Sequence, residues 1–177
     1  ESGVGDALLY AFSSGIERES FFLQTKFTHQ NGQDHRLPYH PSADFPTQVR
    51  QSFQHSLNHL HTNYLDCYML HGPMRVEGIS IPDWAIWREM EALYHEGLAR
   101  SLGISNVSAE QLQLLCEHAD IKPAYVQNRC YAAHDWDHDV RAFCSKHNIH
   151  YQGFSLLTAN PFVLTEVSDL AQYYNAT

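Results

Sequence analysis

The sequence predicts an α/β fold in which consecutive β/α units build one parallel sheet, and three observations carry that prediction. Helical periodicity alternates with short strand-like apolar runs along the chain, and strands separated by a helix-length crossover pair in parallel. Four of those runs lead to polar side chains: Phe21-Phe22-Leu23 to Lys26, Cys67-Tyr68-Met69-Leu70 to His71, Leu102-Gly103-Ile104 to Ser105-Asn106, and Tyr125-Val126 to Gln127. In a parallel sheet wrapped by helices, the loops beyond the strand carboxyl ends gather on one rim, and ligands bind there. Finally, no linker or low-complexity stretch divides the units, so residues 1–177 read as a single domain.

Each element follows from local pattern. Val4, Leu8 and Phe12 make a helical stripe that ends near Gly15, before the strand that delivers Lys26. From Asn31 to Pro41 the chain is rich in His, Asn, Asp and Pro without periodicity, the mark of a surface excursion beside the site. Phe45, Val49, Phe53, Leu57 and Leu60 define the next helix, with Pro46 acceptable in its first turn, and it leads into a strand from Tyr64 to His71. Trp84, Trp87, Met90 and Leu93 mark another helix, with Pro82 near its start and Gly97 just past its end.

The strand ending at Asn106 comes next. Ser108 and Gln111 have the spacing of a capping box, in which hydroxyl and amide each satisfy a free backbone donor, and Leu112, Leu115 and Ala119 continue that helix. The strand to Gln127, a helix carrying Val140 and Phe143, a strand from Tyr151 to Ser155 and a last helix with Val167, Leu170 and Ala171 complete the chain. A closed barrel of such units needs eight strands and about 250 residues. This chain is shorter on both counts.

Composition excludes some classes. The formal charge of -9 and sequence pI near 5.7 argue against a nucleic-acid partner, since neutralising phosphates needs clustered Lys and Arg. No apolar run approaches the ~20 residues needed to cross a bilayer, so no membrane role is expected. The start, Glu1-Ser2-Gly3-Val4-Gly5, lacks a signal-like region. Cys67, Cys116, Cys130 and Cys144 form no C-x-x-C pair and read as reduced core thiols of a cytoplasmic protein. His134 and His138 would stand one helical turn apart if helical, which invites a metal. The acidic run around them reads instead as a helix start, where Asp residues satisfy free amides, so no metal is expected.

Two segments carry a resemblance. Gly97-Leu98-Ala99-Arg100-Ser101-Leu102-Gly103-Ile104-Ser105-Asn106 closely resembles the G-x-x-R-x-x-G-x-S-N segment of aldo-keto reductases, and Asp66-Cys67-Tyr68-Met69-Leu70-His71-Gly72-Pro73 resembles their D-x-Y-x-x-H-x-P segment. Thr25-Lys26, Pro123-Ala124-Tyr125-Val126-Gln127-Asn128 and Phe154-Ser155 follow in the family's order.

The resemblance implies a partial (β/α)8 barrel holding strands three to seven of the family with their helices. It also implies NADPH-dependent reduction of an aldehyde or ketone, with NADH open as a second cofactor. Lys26 matches the ammonium that favours the phenolate of the family's tyrosine acid, whose free pKa near 10 would otherwise make it a poor acid and base. His71 matches the residue that orients the carbonyl or relays the proton. Ser105, Asn106 and Gln127 match the residues that hydrogen-bond the nicotinamide carboxamide, and Phe154 stands where a tyrosine usually stacks on the ring. Strand capping is the competing role for the polar residues among them. Leu156-Leu157 departs from the family's Pro-Leu.

Glu1-Ser2-Gly3-Val4-Gly5 resembles the stretch that follows the family's catalytic tyrosine and its partner aspartate, which places both before residue 1, and two strands at the start and one at the end have no counterpart here. A second function class stays open: a non-catalytic relative that senses nucleotide or binds protein. A third, an unrelated barrel with a Schiff base on Lys26, leaves Ser105-Asn106 and Gln127 unexplained. The resemblance implies a small carbonyl compound as substrate, and Phe27, Tyr131 and Trp136 are candidates to line its pocket or to pack on the rim.

Overall fold

In the computed structural model, which describes residues 1–163 and 167–175 apart from the side chain of residue 169, five strands pair in parallel in the order in which they occur. They are β1 (Gln24–Phe27), β2 (Cys67–Leu70), β3 (Leu102–Ser105), β4 (Tyr125–Arg129) and β5 (His150–Phe154). The connecting helices are α2 (Phe45–Leu60), α3 (Ile81–His95), α4 (Ala109–His118) and α5 (His138–His147). Helix α1 (Ser2–Ser13) precedes β1, and the short helices α6 (Leu156–Ala159) and α7 (Ser168–Tyr173) follow β5. No helix among the described residues is long and apolar enough to cross a membrane.

Two-residue alternation divides the strands into two faces. Phe27, Tyr68, Leu70, Leu102, Ile104 and Val126 turn toward the helices and join Val49, Phe53, Trp87, Met90, Leu112 and Leu115 in the buried core. Each such side chain contributes about 1.5–3 kcal/mol by leaving water. The register places Lys26, Met69 and Gly103 side by side on the opposite face, with Ser105, Gln127 and Gln152 in a neighbouring row. Crowding there explains Gly103: a Cβ at that position would lie 2.9 Å from Met69 side-chain atoms and from the Tyr125 carbonyl oxygen.

The sheet curls until its edge strands face each other. Gln24 Nε2 on β1 donates to Gln152 Oε1 on β5 at 2.9 Å, and Gln152 Nε2 donates back to Gln24 Oε1 at 3.2 Å, across 128 residues of sequence. A strongly coiled parallel sheet with helices on its outer face is a partial barrel.

Helix ends show why these segments start and stop where they do. Asp44 accepts from the Thr47 amide at the start of α2. The capping box at Ser108 and Gln111 has both of its bonds, and a second one, Ser80 with Asp83, opens α3 beside Pro82. Gly97 follows α3 at φ 75°, a left-handed conformation that glycine adopts without a Cβ penalty.

Several sequence expectations change. β1 begins only at Gln24, so Phe21-Phe22-Leu23 lies outside it. The strand expected from Tyr64 to His71 contracts to Cys67–Leu70, with Leu65 making one isolated bridge to Ala99. Arg18 and Arg100 explain the contraction. They clasp the Tyr64 ring at 3.9 and 3.7 Å, while Asp66 accepts from Arg18 and from the Leu23 amide. β5 stops at Phe154 because Ser155 turns left-handed, at φ 57°, and opens α6 directly; this is the form the turn takes with Leu156-Leu157. Val167 caps the last helix instead of lying within it.

The acidic run before α5 also departs from expectation. Asp135, Trp136 and Asp137 all adopt left-handed angles, and Asp137 makes no capping bond. Its carboxylate accepts from Asn128 and from the Tyr151 hydroxyl, both at 2.9 Å, because buried partners on β4 and β5 outcompete the exposed helix amides.

Candidate active site

The polar residues expected at the strand ends lie at the carboxyl-terminal end of the sheet, in strand order. Lys26 on edge strand β1 is half-buried, and burial pulls its pKa below 10.5, opposed by nearby Cys67. Two residues on, Thr28 Oγ1 shares a 2.7 Å hydrogen bond with His71 Nδ1 at the end of β2. The irregular loop after β1 folds back over this point, with the Tyr39 hydroxyl and Gln33 Nε2 both donating to the Thr28 carbonyl.

His71 stands at the open rim, yet part of its ring is desolvated. That desolvation, with the positive charge of Lys26 and the neighbouring His29, pushes its pKa below 6.5. The imidazole is therefore neutral at pH 7, with one nitrogen a donor and the other an acceptor. The loop that follows is anchored from outside the site. Asp83, fully buried, accepts from the Met74 amide, and Gln111 Nε2 donates to the carbonyls of Arg75 and Gly78.

Across from His71, Asn106 adopts φ 51° and its Nδ2 donates to the His71 carbonyl at 2.8 Å and to Ser105 Oγ at 3.2 Å. Ser105 is 1% exposed and donates to the Gln127 carbonyl. Gln127 Nε2 in turn donates to Gln152 Oε1 at 2.9 Å. One hydrogen-bonded run thus links His71, Asn106, Ser105, Gln127, Gln152 and Gln24. It commits the amide nitrogens of Asn106 and Gln127 inward, and among the described residues no protein donor occupies Asn106 Oδ1 or Gln127 Oε1. Phe154 lies one alternation beyond Gln152, half-buried, with the Arg129 guanidinium 5.9 Å from its ring centroid.

These residues bring two carbonyl acceptors, a neutral imidazole and an ammonium to the same end of the sheet. They match the order that the sequence resemblance requires, and the family model described as the Aldo/keto reductase family covers residues 1–175. The chain belongs to the aldo-keto reductase family. Aldo-keto reductase family 4 member C11 of Arabidopsis thaliana is 30% identical over 171 residues, covering 89% of this chain and 49% of the relative. The aldose reductase of Schistosoma japonicum superposes with a TM-score of 0.77 at 24% identity, covering 99% of this chain and 59% of its own. An aldo-keto reductase solved in complex with NADPH has a TM-score of 0.69 at 22% identity, with 87% and 45% coverage. The chain spans about half the length of the curated relatives it matches.

Of the three candidate lining aromatics, Phe27 is excluded: it is fully buried on the helix-facing side, 5.6 Å from the Tyr39 ring. Tyr131 meets His134 edge-on, and Trp136 is partly exposed. Sequence reasoning missed Thr28, Gln152 and Asn128. Gln152 was findable, since it lies two residues before Phe154 and alternation puts both on one face. Thr28 and Asn128 carry no local signal, because their roles depend on His71 and Asp137 in other parts of the chain.

Proposed function

We propose that this protein acts in the NADPH-dependent reduction of an aldehyde or ketone to an alcohol, with NADH a weaker alternative. The observation that carries the reading is the hydrogen-bonded run from His71 through Asn106 and Ser105 to Gln127, with Lys26 beside it. The two carbonyl oxygens left open on Asn106 and Gln127 fit the NH2 group of a nicotinamide carboxamide, so the residues suit that cofactor. The nicotinamide would supply the hydride. Ser105 accepts from Asn106 Nδ2 and positions that side chain from beneath, and Phe154 would offer an aromatic face for the nicotinamide ring to stack on. The aldo-keto reductase solved in complex with NADPH supports the cofactor class.

His71, neutral and tethered through Nδ1 to Thr28, offers Nε2 toward a carbonyl oxygen and orients it as negative charge develops there. Lys26 would supply the ammonium that favours the phenolate of the tyrosine acid, the role it matches by resemblance. The negative net charge argues against nucleic acid as partner, a small carbonyl compound is the proposed substrate, and the free thiols suit a cytoplasmic setting.

Nucleotide fluorescence and NADPH consumption test this together. The reading expects saturable NADPH binding that weakens about tenfold in Asn106→Ala or Gln127→Ala, the loss of one or two hydrogen bonds. In a chain that includes the tyrosine acid implied by the resemblance, it also expects aldehyde-dependent oxidation that His71→Ala removes, and weak or no turnover by residues 1–177 alone. Binding without turnover at full family length would favour a nucleotide sensor. No binding would defeat both readings.

A further inference from the structure

We propose that Glu1, His55 and His59 form a binding site for a divalent transition-metal ion of the zinc class, independent of the reductase reading. Helix α2 puts His55 and His59 four residues apart, so both rings project from one face, with centroids 4.1 Å apart. Glu1, at the start of α1, brings a carboxylate to the same place, with Oε2 3.7 Å from His59 Nδ1. One ligand atom from each of the three residues lies within 4.8 Å of the others.

The chemistry suits zinc more than calcium or magnesium. Two imidazoles and one carboxylate form a borderline donor set, whereas the hard cations take oxygen ligands. The carboxylate is also held from behind. Ser56 Oγ donates to both Glu1 oxygens, at 2.9 and 3.1 Å, and Thr25 Oγ1 donates to Oε1. Such outer hydrogen bonds orient a ligand and sharpen its affinity. Metal–ligand bonds of about 2.0–2.2 Å place tetrahedral ligand atoms roughly 3.4 Å apart. The cluster must therefore tighten, which the exposed His55 ring can do by a rotamer change.

Three protein ligands leave a fourth position for water. That position opens into a cleft of about 500 Å³ that also contains Lys26 and Arg36. Arg36 is paired with Asp34, but the Lys26 ammonium opposes a second cation and weakens the site.

Titration of the tag-free protein with Co2+ by visible absorption, and with Zn2+ by calorimetry, tests the site. The expected result is one saturable site per chain with tetrahedral Co2+ bands. His55→Ala and His59→Ala should each weaken it by more than about tenfold, and His134→Ala should leave it unchanged. Circular dichroism checks folding of each variant. The exposed His55 gives a variant that keeps the test valid if His59→Ala misfolds. Absence of saturable binding, or binding that survives His55→Ala, would overturn the proposal.

Discussion

Gln152→Ala removes the side chain that ties the two edges of the sheet together and holds Gln127 in place. Three hydrogen bonds end on Gln152: from Gln24 at 2.9 Å, to Gln24 at 3.2 Å and from Gln127 at 2.9 Å. At about 0.5–1.5 kcal/mol net for each bond, their loss would cost roughly 1.5–4.5 kcal/mol if nothing replaced them. Gln24 and Gln127 are half-buried and regain water, so the lower part of that range applies. The expected destabilisation is about 1–2 kcal/mol, a fall in Tm of roughly 2–8 °C for a chain of this size. Urea unfolding followed by circular dichroism measures the first quantity and a thermal melt the second. Because Gln127 Nε2 loses its partner, nucleotide affinity should fall at the same time, by about threefold to tenfold. Unchanged stability together with unchanged affinity would mean that these glutamines do not couple the sheet edges to the rim.

Three further outcomes are expected. Gly103→Ala forces a methyl group against Met69 and the Tyr125 carbonyl, and urea unfolding should show a loss of about 1–3 kcal/mol. His71 has a folded pKa below 6.5, so below that pH the unfolded chain takes up a proton that the folded chain resists. Stability should therefore rise with pH through that window and fall as pH drops below it, and His71→Gln should flatten the slope in unfolding curves measured across pH. Burial pushes the Cys67 thiol up to about 12 and the Cys144 thiol up to about 11. A thiol reagent at pH 8 should then label partly exposed Cys130 first in the native protein, and all four cysteines after unfolding.

Much of the fold was legible because periodicity and caps act locally. The stripe from Phe45 to Leu60 coincides with α2, and the Ser108–Gln111 capping box has both bonds. Strand order followed from the need of parallel neighbours for helical crossovers. Strand ends were less legible, since Tyr64 has strand character in sequence but is claimed by Arg18 and Arg100. Placement at the carboxyl-terminal rim was legible for Lys26, His71, Asn106 and Gln127, because polar residues after apolar runs fall there. Which atoms stay free was not. Asp137 turned from its helix to Tyr151, and Gln127 committed its amide to Gln152, through partners 14 and 25 residues away. No period in the sequence encodes such pairings.

In the proposed function, the rim between β2 and β4 receives a nicotinamide carboxamide. Titration of NADP+ into 15N-labelled protein, watched at the side-chain amides of Asn106 and Gln127 and at the His71 ring, tests it most directly. Saturable shifts are expected at all three, with the Arg18–Asp66 network at the opposite end of the sheet unmoved. Saturable binding that leaves Asn106 and Gln127 unshifted, or no binding at all, would contradict the proposed function.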